Sequence, residues 1–308
     1  MIPTLLAALW ACAPRYAFLP PIAPTDLKAA LPLQRDDDLG IAYVDSGGDG
    51  PVLLFVHGLS SSLSFWDRQL VAFAGDYRVV AVDLPGYGAS DRPDAPCTPP
   101  WYADQVVALL DDLGIERVTW VGHSMGGQIG MHAVLRHPER IDRLVLAAPA
   151  GFERFTLGEG AWMKRYFTEG RALEADEPAI RANFHNVFAV QDDLTERWIE
   201  ERVRLAKTEA FAGTSVAVSR SVAGMLDFPV YDRLPEITLP VLIVYGTRDA
   251  LIPNPIFHGG RTRGVGELGL ERLPDAELVM IPGAGHGVQH DAPEAFDAAM
   301  RGFLESHP

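Results

Sequence analysis

Seven short apolar runs, rich in β-branched residues, constrain the fold of this chain more than any other feature. They are "IAYV" at 41, "VLLFV" at 52, "YRVVAV" at 77, "VTWV" at 118, "RLVLAA" at 143, "VLIVY" at 241 and "ELVMI" at 277. Each shows too little polar alternation for a strand with one wet face, so each reads as a strand covered on both sides. Stretches of helical character lie between them, which suits right-handed crossovers between parallel strands. The predicted class is therefore α/β, with a mostly parallel sheet flanked by helices. The turn-forming "DSGGDG" between the first two runs suits a hairpin and predicts an antiparallel leading edge. "TPPWYADQVVALLDDLG" reads as a helix, with proline near its start and Gly114 just past its end.

The strand rhythm stops between about Gly151 and Arg233, a stretch that holds 11 of the chain's 28 aromatic residues. Helical patterning replaces it, as in "DDLTERWIEERVRLAKTEAF". There Asp193 and Glu196 have capping-box spacing, and Leu194, Trp198, Ile199, Val203 and Ala206 share an apolar face. This predicts a helical cap over 151–232, inserted into a core formed by 25–150 and 233–308. Most of its aromatics are expected to glue the cap to the sheet domain, and a minority to line a pocket.

Composition narrows the function classes. With 308 residues, 48% of them apolar, the chain can bury a large core. Its 26 basic against 41 acidic residues leave a formal charge of −15. Such a surface repels nucleic-acid phosphates and acidic membranes, so no nucleic-acid partner is expected. Residues 1–24 stand apart as an N-terminal apolar segment with two open readings. "LWAC", ending at Cys12, resembles a bacterial lipoprotein cleavage box, which would place the protein in the envelope or outside the cell. No Lys or Arg precedes Arg15, and Trp10 is bulky for that motif, so an apolar arm packed on the fold is the competing reading. Membrane contact is expected only if Cys12 is lipidated. The remaining cysteine, Cys97, leaves a Cys12–Cys97 disulfide open as well.

The chemistry concentrates at "VTWVGHSMGGQIGMHAVLRH". A strand runs into Gly122-His123-Ser124-Met125-Gly126, and a helical pattern follows at once. A G-x-S-x-G turn between strand and helix exposes the serine hydroxyl at the carboxyl edge of the sheet, with a helix N-terminus behind it. A serine hydroxyl is a weak nucleophile and needs a base, which in turn needs an orienting acid. Asp249 follows the strand "VLIVY", and His286 follows "ELVMI" in the glycine-rich "PGAGHG". Parallel strands deliver these loops to one edge, and the chain order Ser, Asp, His suits this kind of site. Attack on a carbonyl also requires N–H donors for the oxyanion; the backbones of Leu59, after "VLLFV", and Met125 are the expected pair. His57 is expected to hold its loop rather than react. His123 and His290 are weaker rivals for the base, one badly aimed from the elbow and the other lacking a glycine-rich loop.

With these residues assembled, the chain resembles the α/β-hydrolase family from about Ile41 to Phe303. The likeness rests on "HGLSSS", "DLPGYGASDRP", "GHSMGG", "YGTRDALIP" and "IPGAGHG", in that order. The resemblance implies an eight-stranded sheet, a cap after the sixth strand, and neither metal nor organic cofactor. It puts nucleophile, acid and base on Ser124, Asp249 and His286. Serine at 124 separates the chain from the haloalkane dehalogenases and soluble epoxide hydrolases, which attack through a carboxylate. The elbow is similar to those of carboxylesterases and monoacylglycerol lipases. His123 replaces the asparagine frequent in carbon–carbon bond hydrolases, and Met125 the aromatic usual in proline iminopeptidases. The expected activity is hydrolysis of a small-molecule carboxylic ester with an apolar part. A carbon–carbon bond hydrolase or an acyltransferase with the same triad is the alternative, and a non-catalytic ligand receptor the competitor from another class.

Overall fold

The computed structural model describes residues 14–173 and 176–308. Cys12 and the cleavage-box motif lie outside the described residues. Eight strands form one sheet: β1 (Gln34–Asp36), β2 (Ile41–Asp45), β3 (Val52–Val56), β4 (Arg78–Val82), β5 (Val118–His123), β6 (Ile141–Ala147), β7 (Val241–Gly246) and β8 (Ala276–Ile281). Their spatial order is β1-β2-β4-β3-β5-β6-β7-β8. From β4 to β8 every pairing is parallel, and the five central strands are buried along almost their whole length. That is why their sequences read as unbroken apolar runs.

The leading edge is antiparallel, but not through the expected hairpin. β2 pairs with β1 on one side and β4 on the other, both antiparallel. The "DSGGDG" loop therefore carries the chain past β4 to the position of β3. β4 occupies the place beside β2 because it returns from β3 as a parallel neighbour. The three-residue β1 is polar and mostly exposed, which left it without an apolar signature.

Helices cover both faces. α1 (Asp67–Phe73) lies on one side, and α2 (Pro99–Asp112) and α3 (Met125–Arg136) pack together on the other. Thr98 caps α2 by accepting the Trp101 N–H, and Gly114 beyond its end has φ +64°. Among the described residues, five α-helices and a 3₁₀ helix (Tyr231–Glu236) then separate β6 from β7, the α-helices being α4 (Leu157–Tyr166), α5 (Glu169–Leu173), α6 (Glu177–Val187), α7 (Asp193–Leu205) and α8 (Ala210–Asp227). The capping box of α7 sits one residue earlier than its spacing predicts, on Asp192 and Thr195. Glu196 turns away to accept from Tyr16 Oη and Arg181. α9 (Thr262–Arg272), α10 (Val288–Asp291) and α11 (Pro293–Ser306) complete the chain.

The insert meets the sheet domain through aromatic packing. Phe65 from the loop after β3 lies 4.3 Å from Trp198 and 5.2 Å from Phe188, ring centre to ring centre. Ile180, Phe184, Ile199 and Val203 close the same cluster. The N-terminal stretch straps across this insert. Glu177 accepts the backbone N–H groups of Arg15, Tyr16 and Ala17 at 2.7–2.8 Å, while Lys207 donates to the carbonyls of Tyr16 and Ala17.

Candidate active site

The site grows from the join between β5 and α3. Ser124 adopts φ +52°, ψ −115°, a conformation that costs a residue with a Cβ on the order of 1–3 kcal/mol. Its surroundings hold it there. The Ser124 N–H donates to Ala147 O at 2.9 Å, and its carbonyl accepts from Gly127 and Ala150, each at 3.0 Å. The glycines answer a steric demand: a Cβ on Gly122 would lie 2.3 Å from Gly126 O, and one on Gly126 2.3 Å from Val56 O. Any side chain at either position would force β5, α3 and β3 apart. Ser124 is partly exposed, whereas His123 and Met125 beside it are buried.

The strand ends are stitched together from the elbow outward. Ala148 N donates to Val244 O, Thr247 N to Ile281 O and Arg248 N to Ala284 O. Gly246 permits the last approach, since a Cβ there would meet Ala284 O at 2.2 Å. This brings Asp249 against His286: Nδ1 donates to Asp249 Oδ2 at 2.8 Å, with both side chains buried. The second carboxylate oxygen accepts the N–H groups of Leu251 and Ile252, so the aspartate is locked in orientation. No hydrogen bond joins Ser124 to His286 among the described residues. Such a bond is often long before substrate arrives and tightens with it.

The loop after β3 approaches the elbow from the other side. A Cβ on Gly58 would lie 3.1 Å from Ser124 Cβ, so Leu59 follows a residue already touching the serine's turn. Met125 opens α3, and its N–H has no partner within the helix. Neither it nor the Leu59 N–H donates to a protein acceptor among the described residues.

The other histidines have structural occupations. His57 donates from Nδ1 to Gly58 O at 2.7 Å and accepts the Leu84 N–H at Nε2, 3.0 Å away. Those bonds require the neutral ring, and burial lowers its pKa to about 4. His123 donates from Nε2 to His286 O at 3.0 Å. It props the backbone of His286, and burial holds its pKa well below the ordinary value. His290 packs against Phe188 and Trp198 of the insert, and burial pushes its pKa down to about 4.

Two further groups do structural work here; Asp83 opens the "DLPGYGASDRP" motif, and Arg202 stands in no motif. Buried Asp83 accepts the N–H groups of Leu63 and Ala89 at 2.7 and 2.8 Å, tying the loops after β3 and β4 together. Arg202 reaches from α7 to Ser60, donating from Nη1 to Oγ at 3.1 Å and from Nη2 to the carbonyl. Helical period puts Arg202 on the same face as Trp198, Ile199 and Ala206, a charge within the apolar stripe, and nothing local could say which loop that face would meet.

The chain resembles known proteins across this whole framework. Residues 53–299 match the model of the alpha/beta hydrolase family. A relative from a Caulobacter species, "Putative carbamate hydrolase RutD", is 33% identical, over 86% of this chain and 96% of its own length. Among solved structures, a membrane phospholipase A described as a bacterial virulence factor superposes with a TM-score of 0.72 at 25% identity, covering 98% of this chain and 91% of its own. An enzyme that degrades N-acyl homoserine lactones superposes with a TM-score of 0.68 at 26% identity, covering 88% of this chain and all of its own. An eight-stranded sheet with this strand order, a serine elbow after β5 and a family match over most of its length make the chain a hydrolase of the alpha/beta hydrolase family.

Proposed function

We propose that the protein cleaves carboxylic esters through an acyl-enzyme on Ser124, with His286 as base, Asp249 as its orienting acid, and residues 151–232 as a cap over the substrate. The observation that carries this reading is the His286 Nδ1–Asp249 Oδ2 hydrogen bond of 2.8 Å, at the sheet edge that also presents the strained Ser124. A proton on Nδ1 leaves Nε2 as the basic nitrogen. His286 Nε2 takes the proton of Ser124 Oγ as that oxygen attacks the ester carbonyl carbon. The carbonyl oxygen becomes an oxyanion held by the N–H groups of Leu59 and Met125. As the intermediate collapses, the C–O bond to the alcohol breaks and His286 gives the alcohol its proton. Water, activated by the same nitrogen, then releases the acid and restores Ser124.

The phospholipase A among the similar solved structures supports an ester rather than another acyl bond, since such an enzyme acts where an acyl group meets an oxygen. The apolar wall of Phe65, Phe188 and Trp198 suits a substrate with an apolar part. The test is labelling by a fluorophosphonate probe together with turnover of aryl esters of graded chain length. Wild type is expected to label and turn over, and Ser124→Ala to lose both. Labelling that survives in Ser124→Ala would remove Ser124 as the nucleophile.

A further inference from the structure

We propose that Arg202 receives a carboxylate on the substrate, so that the preferred ester carries a free acid group a few carbons from the scissile bond. The inference rests on the ester-hydrolase reading and adds a substrate class to it. Among the described residues, the other arginines of α6 and α7 are neutralised: Arg181 by Glu177 and Glu196, Arg197 by Asp67, Arg204 by Glu200. Arg202 pairs with no carboxylate there, and its hydrogen bonds go to Ser60 alone. Its head is desolvated, which lowers its pKa to about 10, and the charges acting on it are those of Tyr87 and Arg92. Arg92 donates to Gly88 O, Ser90 O and Thr214 Oγ1, and the charges of Asp83 and Asp91 act on it. In a chain with 41 acidic residues against 26 basic ones, a desolvated guanidinium left without a counter-ion is unfavourable unless a ligand supplies one.

The space beside Arg202 suits such a ligand. A cavity of about 40 Å³ lies between insert and sheet domain, walled by Phe65, Tyr87 and Trp198 and edged by Ser61, Ser62 and Arg202. That is room for a group of about three heavy atoms, the size of a carboxylate. Glu201 also borders it, but its carboxyl faces Lys28, Arg197 and Asp67, accepts the Lys28 N–H, and is pushed by burial toward its neutral form. A guanidinium carries five N–H donors, so those not bound to Ser60 remain for a planar carboxylate. Ser60 directly follows Leu59, so an anion on Arg202 would sit one residue along the loop from the expected oxyanion donor.

The experiment compares aryl half-esters of succinate and glutarate with the aryl butyrate and valerate of matched length. For wild type, kcat/KM is expected to favour the half-ester by roughly tenfold or more. Arg202→Met should cut that ratio by a similar factor, and Arg202→Lys should keep part of it, retaining the charge without the fork. A preference for the neutral ester would overturn the proposal. So would an equal loss on both esters in Arg202→Met, the result of a role confined to holding Ser60. Calorimetry with free glutarate, on Ser124→Ala and on Ser124→Ala/Arg202→Met, separates this inference from the reading beneath it. Glutarate bound by the first and lost by the second sustains the subsite even if no ester is turned over. Ester turnover without glutarate binding overturns the subsite alone.

Discussion

The carboxyl edge of the sheet and the helical insert hold their polar groups by opposite means. At the edge, Ser124, Asp249 and His286 are fixed by backbone hydrogen bonds, close glycine contacts and buried strand ends. In the insert, charged side chains are fixed by other charged side chains, as in Arg181 with Glu177 and Glu196, or by reaching into the sheet domain, as in Arg197 with Asp67. Backbone-held groups keep their geometry whatever the substrate, which suits the making and breaking of bonds. Side-chain networks on an aromatic cushion are easier to rearrange, which suits selection among substrates. The difference predicts that edge substitutions lower turnover on every substrate, while those in the insert change which substrate is preferred.

The largest expected effect tests the edge. Asp249→Asn should lower kcat by about 10³–10⁴-fold on all esters alike, because the amide no longer stabilises the charged imidazole and favours the wrong tautomer. Steady-state kinetics on short and long esters measures it, and a loss confined to one chain length would contradict the division between the two regions. A smaller effect tests the insert. Trp198 is 3% exposed and packed against Phe65, so Trp198→Ala should cost about 3–5 kcal/mol. Hydrogen exchange should show that loss in α6 and α7 first, with β3 to β7 still protected; equal loss across the sheet would mean the two regions unfold as one.

The smallest effect concerns His57, which links the loops after β3 and β4. Its pKa falls from 6.5 to about 4 on folding, so between those values the unfolded chain binds a proton that the folded protein refuses. Stability from this residue is complete above pH 6.5 and is lost as pH falls toward 4, by at most about 3 kcal/mol. Asp83 works in the opposite direction. Burial raises its pKa from 3.8 to about 6, so the folded state gains relative stability as pH falls through that window. Denaturant unfolding of wild type and His57→Gln at several pH values isolates the histidine: the variant should lose less stability, or gain more, than wild type as pH falls from 6.5 toward 4, and an unchanged slope would rule the histidine out.

Much of this arrangement was legible beforehand because it is written locally. Seven of the eight strands announced themselves by apolar runs, although β8, at the sheet edge, is only partly buried rather than covered on both faces, and β2 pairs antiparallel; β1, short and polar, did not. The elbow was legible because a strand, a G-x-S-x-G turn and a helix are adjacent in sequence, and the turn's steric demands fall on Gly122 and Gly126 within it. Asp249 and His286 could be placed at the same edge because each follows a parallel strand.

What could not be read locally is what depends on which neighbour fills a given space. The "DSGGDG" loop is equally good as a hairpin turn or a crossover, and the choice falls to β4, which takes the place beside β2. The tautomer of His57 follows from Gly58 and from Leu84, which lies beyond the next strand. Arg202 follows the same rule: its position on α7 is a matter of helical period, but its contact with Ser60 exists only because the aromatic cluster seats that helix over the loop after β3. Strand period and turn sterics act over a few residues and leave their mark in composition. Partner choice among buried groups is settled by packing across the whole molecule, where one side chain's environment is made by residues far away in the chain.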